Sequence, residues 1–490
     1  MKKMGGENGL MREKSFQIPW RLLTLLAGVT AGAVLRVWAA FDNFWLDEIM
    51  SLGLAQSISH SWEILTLHHD NNHILNTLYL FLLGKQQNWV WYRILSVVTG
   101  TASVAIIGYG TLRHGFLEAA TATVLAALSY PLILYASEAR GYAPAVLFSL
   151  TSFFLLQGYW QRRTFWKLVL FWTSVALGLL SHFTFIYVYL SLFVWSVVYK
   201  IEDSKKRLET WTELLKCHTV PMLCVILLYV ASVRHMTVGG GPVYNTFEVI
   251  RRALLLAMGV PEKGIAGSLG VITAFALLSY GIYSLQRKNS SRWIFYLCVL
   301  LLAPAFVLIL NPPEHFYFRY LLVCFPFFYL LTGYVLASLY RKSSRGKILY
   351  VLFLLVFIIV NMQKTADLLK IGRGKYFEAI SYMAENTSGD EIVVASDHDY
   401  RNKIVLSFYE RYLPEGKKLV YCDQNELPSN GPDWVITHNQ DIGFSPPPSI
   451  RGPAGHTYTL ARSFPYSGIS GWHWFVYRND SSLDGAENHK

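Results

Sequence analysis

Long apolar stretches recur along the first three-quarters of the chain, and most are long enough to cross a membrane as a helix. A spanning helix needs about 20 mostly apolar residues, because hydrocarbon offers no partners for backbone amides. The pattern predicts about eleven spans, the last of which ends near residue 361. The spans begin near Trp20, Trp89, Phe116, Tyr142, Lys167, Phe183, Thr219, Ala266, Trp293, Tyr320 and Ile348.

The pattern changes after residue 362, where short apolar stretches alternate with amphipathic ones. This alternation is typical of a small α/β domain, and about 125 residues are enough for one hydrophobic core. We therefore expect a membrane domain over 1–362 and a soluble α/β domain over 363–490. Strands are predicted at 391–396, 418–422, 433–437 and 468–478, and helices at 377–385 and 403–412.

The composition agrees with a membrane protein. Of the 490 residues, 15% are charged and 53% are hydrophobic, whereas soluble domains carry about 25% charged residues. This profile excludes a disordered chain. The five cysteines are too few and too scattered for a disulfide framework or a zinc knuckle.

The basic residues indicate how the chain is oriented. The predicted connections on one side of the membrane, including 1–18, 200–218 and 341–347, contain 20 Lys and Arg. The connections on the other side, together with the adjoining helix ends, contain eight. Because positive loops stay in the cytoplasm, we expect a cytoplasmic N-terminus in the inner (plasma) membrane and a C-terminal domain outside. The net charge of +11 is then explained by topology and gives no reason to expect nucleic acid.

The first predicted outer loop, 41–88, is far longer than a connection needs, and such loops are usually functional. Asp47 and Glu48 follow an aromatic stretch and precede an amphipathic one at 49–58. The pattern predicts two adjacent carboxylates at a helix N-terminus near the membrane surface. They can cap the helix and interact with its dipole, or they can do proton chemistry, and spacing alone leaves both open.

Two histidines in the same loop have the spacing of metal ligands. His69 and His73 are four residues apart, and two imidazoles on one helical turn can bind zinc with further ligands. The alternative is that Asn71 and Asn72 begin a helix and that His73 is a polar residue of its first turn.

Ionisable residues also interrupt later apolar runs, and all of them fall on the predicted outer side. Such groups are costly at membrane depth and therefore tend to be functional. Glu138 and Arg140 can instead form a structural pair, and Arg36 in the first span can extend its guanidinium to the membrane surface. The other candidates are His182 and Arg319.

The chain resembles the GT-C superfamily of membrane glycosyltransferases, in the branch of protein O-mannosyltransferases and the lipid A aminoarabinose transferase. The motifs follow the family order from about residue 21 to residue 340. The family usually has proline after the histidine that corresponds to His73, whereas this chain has Ile74 and Leu75 there. The matching segments are Trp45-Leu46-Asp47-Glu48, 70–79, Arg93-Ile94-Leu95-Ser96, 137–142, 180–185 and Phe318-Arg319-Tyr320.

The resemblance implies a fold and an activity. The fold is a polytopic α-helical GT-C domain of about eleven transmembrane helices, followed by the small extracytoplasmic α/β domain. The activity is transfer of a sugar from a polyprenyl-phosphate carrier to a lipid, glycan or protein acceptor outside the cytoplasm. The resemblance also leaves room for a divalent metal, since some relatives bind one; Glu48, Glu138, His69 and His73 are candidate ligands.

The resemblance assigns roles to particular residues. The family's essential carboxylate maps to Asp47, which we expect to act as the base, with Glu48 beside it and inversion at the anomeric carbon. The departing phosphate needs cations to stabilise its negative charge, and a guanidinium is the cation best suited to bind phosphate oxygens. The expected phosphate- and sugar-binding residues are Arg140, Arg319, Lys85, His73, His182, Glu138 and Tyr317. The C-terminal domain is expected to recognise the acceptor.

The leading alternative is a flippase or transporter of lipid-linked sugars. In such a transporter we expect ionisable groups near the middle of the membrane, on broken helices, and internal symmetry in the sequence. In this chain the ionisable groups are predicted at the outer edge of the membrane, and the sequence shows no internal repeat. ATP-driven transport is not expected, because the chain has no Walker-type phosphate-binding motif.

Overall fold

We describe a computed structural model that covers residues 7–203, 207–237, 239–310, 314–452 and 455–480. Parts of the predicted segments 1–18, 200–218 and 363–490 therefore lie outside the described residues. The α-helices are α1 (Glu7–Ala39), α2 (Leu46–Gln56), α3 (Ile74–Leu83), α4 (Val90–Leu112), α5 (Phe116–Leu128), α6 (Tyr130–Tyr135), α7 (Tyr142–Gln161), α8 (Phe165–Ser181), α9 (Phe185–Asp203), α10 (Arg207–Ala231), α11 (Thr246–Met258), α12 (Gly264–Arg287), α13 (Arg292–Leu297), α14 (Ala303–Leu310), α15 (Phe325–Lys342), α16 (Ser344–Ile371), α17 (Tyr376–Glu385) and α18 (Asp399–Glu410).

Shorter helical turns extend or connect these helices. A π-helix, Cys298–Leu302, joins α13 to α14, and 3₁₀ turns lie at Ser61–Thr66, Val233–His235 and Phe318–Cys324. The last of these turns runs directly into α15, so that the two form one continuous apolar segment.

Each predicted apolar run falls on helical structure, so the chain is a multi-pass membrane protein as predicted. Within the described residues, seven segments are long and apolar enough to cross a membrane. Four further apolar helices, including α5 and α8, have 10–17 residues. The count of eleven spans therefore stays a prediction. The seven segments are Trp20–Ala39, Val90–Leu112, Trp211–His235, Gly264–Arg287, Arg292–Leu310, Phe318–Lys342 and Ser344–Glu385.

The chain divides into two compact units. The first comprises Met1–Ala40 and Ala55–Gln363, and the second comprises Phe41–Leu54 and Lys364–Lys490. The stretch Phe41–Leu54 carries Asp47 and Glu48. In sequence it belongs to the predicted first outer loop, but in the structure it is part of the same unit as the C-terminal domain.

Arg36 shows how polar groups are accommodated inside the membrane unit. The residue is 1% exposed, and its guanidinium donates to the carbonyls of Gly32, Ala126 and Ala127 at 2.8, 3.0 and 3.2 Å. Two of these carbonyls belong to the last turn of α5, where backbone acceptors have no helical partner. Arg36 thus caps α5 from α1, and the predicted extension toward the membrane surface is wrong.

The second unit contains a six-stranded mixed sheet. Its strands are β1 (Glu391–Ser396), β2 (Lys418–Tyr421), β3 (Trp434–Asn439), β4 (Ser449–Arg451), β5 (Thr457–Phe464) and β6 (His473–Asn479), in the order β2-β1-β3-β6-β5-β4.

Parallel and antiparallel pairs occupy different parts of this sheet. β1 is parallel to β2 and β3, and the remaining pairs are antiparallel. The four predicted strands are present. β4 and β5 were not predicted, because β4 has three residues and β5 is mostly exposed, with little apolar patterning.

Arg36→Met keeps the size of the side chain and removes three hydrogen bonds. We expect the free energy of unfolding to fall by about 2 kcal/mol, because the α5 carbonyls lose their donor inside the protein. Thermal denaturation in detergent measures this loss. The matched control is Arg345→Met on the exposed surface of α16; equal melting temperatures for the two variants would contradict the capping role.

Candidate active site

The part of the predicted first outer loop, 41–88, that belongs to the membrane unit is held by asparagine side chains. The Asn72 side chain donates to the carbonyls of Ile64 and Leu67 at 2.7 and 2.9 Å, and Asn76 donates to the Ala139 carbonyl at 2.8 Å. Both asparagines are buried. The second contact ties the start of α3 to the turn between α6 and α7.

His73 precedes α3 and packs against that turn. Its Nδ1 accepts a hydrogen bond of 3.0 Å from the Gly141 amide, and the ring is 3% exposed. A Cβ added at Gly141 would overlap the Ser181 carbonyl oxygen and lie 2.8 Å from the His73 Cβ. Only glycine therefore allows the three segments to approach this closely.

Arg140 lies in the same turn and is almost completely buried, at 2% exposure. Its Nη2 donates to Asn71 Oδ1 at 2.6 Å, and its carbonyl accepts from the Ser96 hydroxyl of α4 at 3.0 Å. The guanidinium also lies 5.1 Å from the centre of the Tyr142 ring. These contacts fix the position of a cation between the loop and α7.

His182, between α8 and α9, packs against both His73 and Tyr142. Its ring centre lies 4.8 Å from that of His73 and 4.5 Å from that of Tyr142. Its Nδ1 lies 2.9 Å from the Thr184 hydroxyl. The Tyr320 ring, at 6.3 Å, extends the cluster to the segment before α15.

Arg319 supplies a second cation beside this cluster. It lies in the 3₁₀ turn before α15, with its guanidinium 4.5 Å from the centre of the Tyr317 ring. Burial, then the charges of Arg140, His182 and Arg319, hold the pKa of His73 well below its usual range. Burial and the two guanidiniums lower the pKa of His182 to about 3. The cluster therefore holds two cations beside two neutral imidazoles.

Asp70 lies at the edge of the cluster. Its amide donates to the Thr237 carbonyl at 3.1 Å, and its carboxylate lies 2.9 Å from His69 Nδ1. Burial raises the pKa of Asp70, but the hydrogen bond and charge of His69, the Gly239 amide and Arg140 outweigh it, so the pKa is lowered. Asp70 is thus an ionised acceptor near Arg140.

In the second unit, Asp42 fastens the stretch Phe41–Leu54 to the residues before α17. Its Oδ2 accepts from the Arg373 amide at 2.6 Å and lies 3.4 Å from Arg373 Nη1, and Arg373 is fully buried. Gly372 has a φ of +85°, and a Cβ there would overlap the Asp42 carboxylate. Glycine is needed both for the backbone and for the close approach.

The next two residues continue this anchor. Asn43 accepts from the Phe377 amide at 2.9 Å and donates to Glu378 at 3.0 Å. The buried Phe44 backbone binds the Tyr409 hydroxyl twice, through its amide at 2.7 Å and its carbonyl at 2.8 Å. Helices α17 and α18 thus hold the chain just before α2.

Asp47 and Glu48 lie in the first turn of α2, as the pattern predicts. The Glu48 carboxylate is fully buried and accepts from the Trp45 amide at 3.4 Å, a contact made by the acidic residue of a capping box. Asp47 is half-buried, and its carbonyl accepts from the Ser51 hydroxyl at 2.9 Å. The Glu48 side chain therefore contacts the start of the helix.

The structure groups some of the expected site residues and separates others. His73, Arg140, His182, Arg319 and Tyr317 form the cluster described above, and Glu138 is buried in the turn beside Arg140. Lys85 is exposed after α3. Asp47 and Glu48 belong to the second unit.

Among the described residues, no group of three or more His, Cys, Asp or Glu side chains is arranged to hold a metal ion. The Nδ1 atoms of His69 and His73 interact with Asp70 and with the Gly141 amide.

Several residues at the two sites were not identified from the sequence. Gly141 and Tyr142 position His73 and Arg140, but only the segment 137–142 that contains them was noted. Asn71, which binds Arg140, was interpreted only as the start of a helix. Asp42 and Arg373 were missed because the pairing of residues 331 positions apart has no local signal.

Comparison with known proteins identifies the fold. No family model and no curated protein sequence matches this chain. ArnT from Cupriavidus metallidurans in the apo state is similar over 95% of this chain and 99% of its own, with a TM-score of 0.53 and 12% identity. The archaeal oligosaccharyltransferase AglB from Archaeoglobus fulgidus, in complex with an inhibitory peptide and a dolichol-phosphate, is similar over 86% of this chain and 70% of its own, with a TM-score of 0.51 and 11% identity. The GT-C fold expected from the motif order is thereby confirmed.

Gly141→Ala tests the packing that positions His73. The added methyl group requires the turn to move away from Ser181, so we expect a loss of about 1–3 kcal/mol in stability. Thermal denaturation measures it. Gly53→Ala is the control, because a Cβ at Gly53 has open space; a Gly141→Ala protein as stable as the control would contradict the packing argument.

Tyr409→Phe tests the anchor of the stretch Phe41–Leu54. It leaves the buried Phe44 amide and carbonyl without their hydroxyl partner, at a cost of about 1–3 kcal/mol. We expect faster hydrogen–deuterium exchange over Phe41–Leu54. Tyr400→Phe, an exposed tyrosine on the same helix, is the control, and unchanged exchange in Tyr409→Phe would show that the contact does not hold this stretch.

Proposed function

We propose that this protein is an integral membrane glycosyltransferase that moves a sugar from a polyprenyl-phosphate donor to an extracytoplasmic acceptor. The observation that carries the proposal is the cluster of Arg140 and Arg319 with neutral His73 and His182. Two fixed guanidiniums with neutral hydrogen-bonding neighbours suit a departing phosphate. The GT-C fold, shared with AglB in complex with a dolichol-phosphate, supports this donor class.

The phosphate is assigned to the two arginines. Arg140 is held by Asn71 and Arg319 lies against Tyr317, so neither cation has to be reorganised when negative charge develops. His73 and His182 are neutral, and Nδ1 of each accepts a hydrogen bond from a backbone amide, so that Nε2 carries the proton and can donate to a sugar hydroxyl or a phosphate oxygen. Tyr317 and Glu138 are assigned to the sugar, and Lys85 is a third candidate for the phosphate.

Asp47 is assigned as the base. Its carboxylate takes the proton of the acceptor hydroxyl while the acceptor oxygen forms a bond to the anomeric carbon. The bond between that carbon and the phosphate oxygen breaks, and its electron pair leaves with the lipid phosphate. A single displacement inverts the configuration. Glu48 supports Asp47 by fixing the first turn of α2.

The remaining proposals concern the surroundings of the reaction. The N-terminus is cytoplasmic and the reaction takes place on the outer face of the inner (plasma) membrane, with the prenyl chain among the apolar outer ends of the spans. The acceptor is a glycolipid, glycan or protein, and the C-terminal domain takes part in its recognition. Metal dependence is a separate prediction of the resemblance, which titration with EDTA tests.

Asp47→Asn should reduce sugar transfer by about 10²–10⁴-fold, because the amide cannot accept the proton. Radiolabelled sugar transfer in reconstituted membranes measures it, with melting temperature as a check on folding. Glu63→Gln, which changes a carboxylate of the same outer loop, is the control. Full activity of Asp47→Asn would refute the assignment of the base.

Arg319→Ala should raise the KM for the polyprenyl-phosphate donor by roughly 10- to 100-fold, since a charge-assisted contact to phosphate is lost. Arg319→Lys should recover part of this loss. Arg251→Ala, which removes a partly exposed arginine paired with Glu248, serves as the control. A donor KM equal to that of the control would exclude a phosphate role for Arg319.

The acceptor and the sugar are best identified by mass spectrometry of membrane lipids and surface glycans with and without the gene. We expect one sugar linkage to disappear while carrier lipid on the outer face accumulates. Loss of carrier movement across the membrane, with no missing linkage, would favour a flippase instead.

A further inference from the structure

A second group of cations lies at the other end of the membrane unit. Arg113 follows the last residue of α4, whereas Ser96, near the start of α4, contacts Arg140 of the candidate site. At 1.5 Å per residue, these two ends of α4 are about 25 Å apart. The second group therefore cannot belong to the cluster around Arg140.

Arg113 has neutral partners. Its guanidinium donates to the side-chain oxygens of Gln157 and Gln161 near the end of α7, the latter at 3.3 Å, and lies 5.9 Å from the Phe154 ring centre. These contacts hold the guanidinium against α7 without compensating its charge.

Arg292, at the start of α13, lies close enough to Arg113 for their charges to interact, and it also has neutral hydrogen-bond partners. Its Nη1 is 2.9 Å from His114 Nε2, and its Nε donates to the Ser290 hydroxyl at 3.1 Å. Burial, then the charges of Arg292 and Arg113, lower the pKa of His114 to about 4, so the ring is a neutral acceptor at pH 7.

The acidic residue of this region is already paired. Glu118, in the first turn of α5, binds Arg341 at 2.7 Å. Within the part of the chain that the structure describes, Arg113 and Arg292 thus make their hydrogen bonds with neutral groups. Two neighbouring guanidiniums without a carboxylate repel each other, and an anion is needed to compensate them.

An apolar groove begins beside Arg113. Its volume is about 820 Å³, and its walls come from α4 and α7. Sites for small ligands have volumes of about 300–1,000 Å³. Gly110 forms part of the groove, and a Cβ there would meet the Phe154 ring, so the glycine lets the two helices approach. The groove is lined by Ala105, Ile106, Tyr109, Thr151, Phe154 and Leu155.

We propose that this end of the bundle binds one anionic phospholipid, with its phosphate on Arg113 and Arg292 and an acyl chain in the groove between α4 and α7. A cationic mouth over an apolar groove matches a charged head and a hydrocarbon tail. In the proposed orientation, the lipid comes from the cytoplasmic leaflet. The site is independent of the proposed transfer reaction, because it uses none of the residues assigned to it.

Native mass spectrometry of the full-length protein in detergent tests this site. Phosphatidylglycerol and phosphatidylcholine with identical acyl chains are titrated separately. Two arginines at an anionic headgroup predict a roughly 10- to 30-fold preference for phosphatidylglycerol. Arg113→Gln/Arg292→Gln should abolish the preference, and Arg345→Gln, an exposed arginine of α16, should keep it. Equal binding of both lipids, or a preference that survives in the double variant, would overturn the proposal.

Thr151→Trp tests the groove separately and leaves both arginines in place. Filling the groove should weaken phosphatidylglycerol binding by about tenfold. Inorganic phosphate at the same concentration should not displace the lipid from the unmodified protein. Unchanged binding in Thr151→Trp, or displacement by inorganic phosphate, would show an anion site without a lipid chain and would overturn the proposal.

Discussion

The buried contact between Asp42 and Arg373 is the constraint on which the second unit depends. Burying a guanidinium removes its hydration, and nearby hydrogen-bond acceptors or an opposite charge must compensate for that loss; Asp42 supplies both for Arg373. The stretch Phe41–Leu54 is therefore a structural part of the C-terminal domain. Since this stretch also carries Asp47, the backbone of Phe41–Leu54 connects the proposed base directly to the C-terminal domain.

A related rule organises the membrane unit, where polar side chains satisfy backbone groups that hydrocarbon cannot. Arg36 donates to the carbonyls of Ala126 and Ala127 at the end of α5, and Asn361 accepts a hydrogen bond from the Tyr130 amide at the start of α6. His73 does the same for the Gly141 amide. The cluster around Arg140 is thus an extension of the contacts that hold the helix ends together, and the same contacts position its side chains.

The charges at the two ends of the membrane unit serve different purposes in the proposals. At one end, Arg140 and Arg319 lie beside histidines kept neutral by burial, which suits a phosphate that becomes more negative during transfer. At the other, Arg113 and Arg292 lie beside an apolar groove, which suits a lipid that stays bound. Arg113 and Arg292 are also among the basic residues from which the membrane orientation is predicted, and the proposal gives these two a binding role as well.

The sequence by itself determined the membrane-spanning character, the α/β nature of the C-terminal domain and the first turn of α2 with Asp47 and Glu48. These features follow from hydropathy and from periodicities of a few residues, which are local. The tertiary structure alone decided that Arg36 caps α5, that Glu48 contacts the helix start, that β4 and β5 complete the sheet, and that Phe41–Leu54 joins the second unit. Each of these depends on contacts between distant residues, and such contacts leave no periodic signal in the chain.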